Sequence, residues 1–138
     1  DYLTDYDGYE EDELVPETLE EITKVIHGIL DAEAELVGGP GRVLLGGASQ
    51  GACTALHAAL TYPKRLGGVV ITQANMLSVT PVPSDWAGRG TPVRVFNGLA
   101  DSTMPWDDWV SATYERLRGP GLDARFEQEE DVDHGDDE

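Results

Sequence analysis

The chain has 138 residues, 40% of them hydrophobic, which suffices for one domain with a modest core. Its formal charge of −18 leaves no basic stripe to displace counterions from a phosphate backbone, which argues against nucleic acid or an anionic membrane surface as a partner. Seven of the 27 acids lie in residues 1–13 and eight in residues 127–138, leaving twelve against all nine Lys and Arg between them. Residues 1–13 therefore read as a solvated acidic N-terminal segment, and residues 14–138 as one domain with an acidic C-terminal end. Cys53 is the only cysteine, so an internal disulfide and a metal site built on thiolates are both excluded. No run of about 18 apolar residues is present to span a bilayer, and the acidic start is the opposite of a signal peptide's basic one.

From Pro16 to Val37 the apolar residues Leu19, Ile22, Val25, Ile26, Ile29, Leu30 and Leu36 recur at helical spacing, with Thr18 and Glu21 placed as a capping box. Gly38-Gly39-Pro40-Gly41 ends this helix. Arg42–Gly46 is a short apolar run of the kind a buried parallel strand uses, and it should lie centrally in its sheet. The alanine-rich stretch from Gln50 to Tyr62, stopping before Pro63, predicts a helix packed closely on that sheet. Further strands are expected at Gly68–Thr72, Val93–Phe96 and Leu122–Glu127, with a helix over Trp106–Leu117. This alternation argues for an α/β fold, a mainly parallel sheet flanked by helices. The irregular stretch from Gln73 to Thr91 is long enough to form a wall of a substrate cleft.

Gly47-Ala48-Ser49-Gln50-Gly51 matches the nucleophile-elbow pattern Gly-x-Ser-x-Gly, and it sits directly after a strand and before a helix, where that pattern has mechanical meaning. The serine must occupy a strained turn that lifts its hydroxyl above the sheet, and a glycine on each side removes Cβ atoms that would collide with strand and helix. The same turn aims the backbone N–H of Gln50 at an oxyanion formed during acyl transfer. A glycine turn between strand and helix also occurs as plain structure or as a phosphate cradle. A nucleophilic serine needs a base and an orienting carboxylate, in the chain order Ser, Asp or Glu, His. His134 is the one histidine after the elbow and outside the predicted helices. His27 reads as a solvated helix residue and His57 as a packed or partly exposed one. Asp101 leaves the C-terminal end of a strand, the edge where binding groups gather in such sheets. Asp107 and Asp108 are alternatives, but they fall in the first turn of a helix, where acids commonly oppose the dipole, and Asp101 itself has a rival reading as a loop cap. A chymotrypsin-like order would need His27 and Asp31 on one helix, which gives no workable arrangement.

At these residues the chain resembles the acyl-protein thioesterase and phospholipase/carboxylesterase family of α/β-hydrolases. Leu45-Gly46-Gly47-Ala48-Ser49-Gln50-Gly51-Ala52 looks like that family's elbow, and Asn97-Gly98-Leu99-Ala100-Asp101-Ser102-Thr103-Met104-Pro105 is similar to its His-Gly-x-x-Asp-x-x-Val-Pro segment. The resemblance runs from about Leu14 to His134. It implies a serine hydrolase that cleaves a small ester, a lysophospholipid or an acylated protein through an acyl-enzyme, with Ser49, Asp101 and His134 as triad, no metal or organic cofactor, and a cytoplasmic location. Three departures stand out: Ala48 replaces a larger residue, Asp131-Val132-Asp133 replaces a glycine-containing step before the histidine, and the family's early strands have no counterpart in residues 1–13. Residues 14–138 are thus expected to be a partial α/β-hydrolase domain that lacks its N-terminal strands and the loop supplying a second oxyanion donor. As a piece on its own it should be a poor catalyst, open to a protein partner that completes the sheet. The alternative reading is a non-catalytic or weakly active hydrolase-fold interaction subunit.

Overall fold

The structure is a computed structural model that describes residues 15–82, 90–119 and 121–135. The acidic segment 1–13 lies outside the described residues. Helix α1 spans Val15–Val37 and is followed by a single 3-10 turn, Pro40–Arg42. Strand β1 is Leu44–Ala48, helix α2 Gln50–Thr61, β2 Gly68–Thr72, β3 Val93–Gly98 and β4 Ala124–Glu129. The four strands form one parallel sheet in the order β1-β2-β3-β4.

Alternation along each strand separates two faces. Val69, Ile71, Val93 and Val95 share one face and are buried. The opposite face carries Leu44, Val70 and Phe96, which are 71%, 37% and 38% exposed. Ala52, Ala55 and Ala59 of α2 are buried, and their small side chains let the helix approach the sheet closely. Helix α1 packs on α2 through Leu19, Leu30 and Ala34, with Ile26 packed against the same core. Only part of the apolar stripe expected for α1 is used: Val25, Ile29 and Leu36 remain exposed. Among the described residues no helix is long and apolar enough to cross a membrane.

Several sequence expectations need correction. The strand expected from Arg42 starts at Leu44, because Pro40–Arg42 completes a tight turn in which the Val43 N–H donates to the Pro40 carbonyl. Among the described residues β1 is an edge strand paired with β2 alone, as expected of a partial domain that lacks the strands on its far side. The helix expected over Trp106–Leu117 is broken. A wide turn over Trp106–Val110, with the Val110 N–H reaching back to the Pro105 carbonyl, leads into one helical turn at Ser111–Thr113 and a 3-10 turn at Glu115–Leu117. Its burial still follows helical spacing, since Trp106, Val110, Thr113, Tyr114 and Leu117 all face the core. There Tyr114 stacks between Trp106 and Phe126, with ring centroids 5.8 and 5.5 Å away. His27 is not a solvated residue. Its ring lies 5.3 Å from that of Tyr62, and its Nε2–H donates to the Ala58 carbonyl at 2.8 Å, which joins α1 to α2.

Candidate active site

The three parallel junctions at the C-terminal ends of β1, β3 and β4 bring the predicted site residues together. Ser49 follows β1 with φ 51° and ψ −126°, a left-handed conformation that a residue with a side chain adopts at a cost of about 1–3 kcal/mol. The elbow is held in that shape from both sides. The Ser49 N–H donates to the Thr72 carbonyl at 3.0 Å, and the Ser49 carbonyl accepts from the Ala52 and Cys53 amides as α2 begins. Gly47 has no room for a side chain, because a Cβ there would lie 2.6 Å from the carbonyl carbon of Gly51. Gly51 differs: a Cβ at that position meets open space, so only the first elbow glycine is sterically required. Although Ser49 occupies the N-cap position of α2, its hydroxyl makes no capping bond. It is hydrogen-bonded to His134 Nε2 instead, at 2.9 Å.

His134 lies in the loop after β4, and its other ring nitrogen is bound to Asp101. The distance from Nδ1 to Asp101 Oδ2 is 2.7 Å. An ionised carboxylate only accepts, so the imidazole carries its proton on Nδ1, and the Nε2 lone pair is left to accept from the Ser49 hydroxyl. Asp101 is buried, and its second oxygen, Oδ1, accepts the Thr103 and Met104 amides at 2.9 and 2.7 Å. Asp101 thus caps its own loop through Oδ1 and meets the histidine through Oδ2. Asp107 and Asp108 are exposed on the following turn and take no part in this chain of bonds. Gln50 opens α2 directly after Ser49, so its backbone N–H belongs to the first helical turn. A hydroxyl, an imidazole and a carboxylate in this order can pass the serine proton to Nε2 while the carboxylate stabilises the resulting imidazolium.

The remaining candidates are packing residues. His57 is half-buried and hydrogen-bonded through Nδ1 to Thr80 Oγ1 at 2.9 Å; burial, and then the charge of His27, holds its pKa below the usual histidine value. Cys53 is buried against Asn75, and burial pushes its thiol up to about 12, which keeps it out of nucleophilic chemistry. The described part of the long loop, 73–82, is mostly buried in the body of the domain, Gln73 lines a cavity with Thr72, Phe96 and Val132, and 83–89 lie outside the described residues. Residues that sequence reasoning missed lie beneath the histidine loop. A Cβ on Gly98 would overlap the Val132 carbonyl, and Gln73, at φ 50°, donates from Nε2 to the Asp133 carbonyl at 2.6 Å. The glycine was visible as part of the Asn97–Pro105 segment, whereas nothing in the sequence marks Gln73.

Comparison with known proteins bears on the fold and the family. The sequence pattern of the Phospholipase/Carboxylesterase family matches residues 4–137. The chain is 34% identical over 108 residues to acyl-protein thioesterase 1 of Gibberella zeae, covering 75% of this chain and 45% of that protein. It is 27% identical over 122 residues to lysophospholipase-like protein 1 of Mus musculus, covering 86% of this chain and 50% of that one. A crystal structure of an Arabidopsis thaliana SOBER1 variant superposes with a TM-score of 0.74 at 26% identity, over 96% of this chain and 62% of that structure. The chain thus spans about half the length of these two relatives. Fold, matched family pattern and relatives agree, and the chain belongs to the phospholipase/carboxylesterase family of α/β-hydrolases.

Proposed function

We propose that the protein is a serine hydrolase that cleaves carboxylic esters or thioesters through an acyl-enzyme. The observation that carries this reading is the continuous hydrogen-bonded chain from Ser49 Oγ through His134 to Asp101, with links of 2.9 and 2.7 Å. Ser49 attacks the acyl carbonyl while His134 Nε2 takes its proton, and Asp101 holds the imidazole and stabilises its positive form. The backbone N–H of Gln50 donates to the oxyanion of the tetrahedral intermediate. His134 then gives the proton to the departing alcohol or thiol, and a water activated by the same base releases the acid from Ser49. None of these steps calls on a metal or an organic cofactor. The names of the relatives, an acyl-protein thioesterase and a lysophospholipase-like protein, point to an acylated protein, a lysophospholipid or a small ester as substrate.

Replacement of Ser49 by Ala in the full-length protein tests this reading directly. Turnover of a short p-nitrophenyl ester should fall by about 10⁴ or more while the thermal unfolding transition stays in place. Esterase activity that survives in the purified variant would remove Ser49 from the nucleophile role. A second reading, a hydrolase-fold interaction subunit, is favoured by one feature: the exposed sheet face of Leu44, Val70 and Phe96 is a surface that a partner protein completing the sheet would cover. An organophosphonate serine probe separates the two readings, because only an activated hydroxyl reacts with it.

A further inference from the structure

We infer that Gln73 is a positioning residue that fixes His134 relative to Ser49, acting through the backbone of the loop that carries the histidine. The inference rests on the serine-hydrolase reading above and adds to it the element that sets the distance between nucleophile and base.

His134 sits in a loop with little support of its own. Over residues 130–135, after β4 ends at Glu129, there is no regular structure, and Glu130, Asp131 and Asp133 are exposed. Their like charges favour an expanded loop, not a fixed one. Yet the imidazole must hold two hydrogen bonds at once, to groups on two other parts of the fold. Besides the two bonds of the imidazole, four contacts help to restrain the loop. The Glu129 carbonyl accepts the Leu99 N–H at 2.8 Å, the Val132 carbonyl lies over Gly98, and the His134 N–H is capped by Asp133 Oδ1 at 2.7 Å. The fourth is the bond from Gln73 Nε2 to the Asp133 carbonyl at 2.6 Å, one residue before the histidine. It holds the loop's backbone beside His134 from outside the loop and its neighbouring strand β3.

The position of Gln73 gives that bond its meaning. Thr72 ends β2 and Gln73 follows it; β2 is the strand between the one that presents the nucleophile and the one that leads to Asp101. The Thr72 carbonyl accepts the Ser49 N–H at 3.0 Å, and the Thr72 hydroxyl donates to the Gly47 carbonyl at 3.3 Å. The next residue reaches the opposite way, to the loop of the base. Two consecutive residues thus grip the nucleophile's turn and the histidine's loop. Gln73 is 3% exposed and holds φ at 50° while its N–H donates to the Phe96 carbonyl at 2.9 Å. A left-handed conformation in a long polar residue costs free energy that glycine or asparagine would largely avoid. A side chain that is kept there, buried and bonded to a main-chain carbonyl, has a use beyond filling space. The acceptor also fixes the amide's orientation, because only the NH₂ side can face a carbonyl oxygen.

The test uses the full-length protein with Gln73→Met, which keeps side-chain volume without the donor, and Gln73→Gly, which relieves the backbone and removes the side chain. For a short p-nitrophenyl ester, both should lower kcat by about 10- to 100-fold with KM changed less than about threefold, since displacement of a catalytic group by about 1 Å is felt in the chemical step. The rate of labelling by an organophosphonate serine probe should fall in the same ratio. The downfield proton resonance of the imidazole Nδ1–H should broaden or shift, a response that simple loss of packing would not produce. Two folded variants with kcat within about twofold of the parent, or a loss in Gln73→Met that a folded Gln73→Gly does not share, would overturn the proposal. Ser49→Ala and His134→Ala, run alongside, keep the two readings apart. If those variants retain turnover, the serine-hydrolase reading falls; if they are inactive and the Gln73 variants are not, only the role of Gln73 falls.

Discussion

The two halves of the site are held in opposite ways. Ser49 sits in a turn between a strand and a deeply packed helix, where Gly47, the Thr72 carbonyl and the first turn of α2 leave its backbone one position. His134 sits on an acidic, irregular loop and is placed by contacts from β2, β3 and the Asp101 loop. The geometry of Ser49 is therefore mostly local, written between Gly47 and Cys53 with support from Thr72 of the neighbouring strand. The base's geometry is long-range, with partners 33, 60 and 85 residues away in the chain along the loop. Substitutions near the elbow should act through backbone shape, and those around the histidine through hydrogen-bond partners.

The largest expected effect that separates the two modes is Asp101→Asn. Asparagine retains an oxygen for the Thr103 and Met104 amides, so the loop should keep its shape. Its NH₂ would face Nδ1, force the imidazole proton onto Nε2 and leave no lone pair for the Ser49 proton. A loss of about 10⁴ in kcat with little change in melting temperature is expected from steady-state kinetics and calorimetry. A loss of only a few-fold would break the claim that Asp101 sets the tautomer. Next in size is the contrast between the elbow glycines. Gly47→Ala places a Cβ 2.6 Å from the Gly51 carbonyl carbon and should cost about 1–3 kcal/mol of stability together with most of the turnover. Gly51→Ala adds a Cβ in open space within a helix and should be neutral or stabilising by up to about 1 kcal/mol. Equal losses in the two variants would show that the turn is not shaped by the Gly47 contact.

The smallest expected effect concerns α2 itself, and it is read through pH. Burial lowers the pKa of His57 below its ordinary 6.5, so between the folded and unfolded values the unfolded chain binds more protons than the folded one. Stability contributed by neutral, buried His57 is thus present above the unfolded value and is lost as pH falls toward the folded one. His57→Gln, which preserves a partner for Thr80, should narrow the drop in melting temperature between about pH 7 and about pH 5. An unchanged drop would mean that this side of α2 is more open to water than its packing suggests.

The fold was legible because each element carries a local signal. The periodicity of α1, the alanines of α2 and the β-branched run of β2 all state their conformation within a few residues. The elbow was legible for the same reason, and Asp101 and His134 followed from chain order and the shape of their flanking segments. The start of β1 was misread because an apolar run such as Val43-Leu44-Leu45 does not show that the tight turn before it takes up its first residues. The segment after Pro105 was misread because core packing of Trp106, Val110 and Tyr114 keeps helical spacing while the hydrogen bonds rearrange. His27 was misread because its partner, the Ala58 carbonyl, belongs to another helix. Gln73 was invisible for a stronger reason: a main-chain carbonyl 60 residues away leaves no residue type in the sequence to pair it with.

The central claim is that Ser49 is a nucleophile activated by a base from the far end of the chain. Reaction of the full-length protein with an organophosphonate serine probe, followed by proteolysis and mass mapping, tests it most directly. The expected result is a single adduct on Ser49 whose rate of formation falls by about 100-fold or more in His134→Ala. An adduct on Ser78, Ser84, Ser102 or Ser111, or a Ser49 rate indifferent to His134, would contradict it.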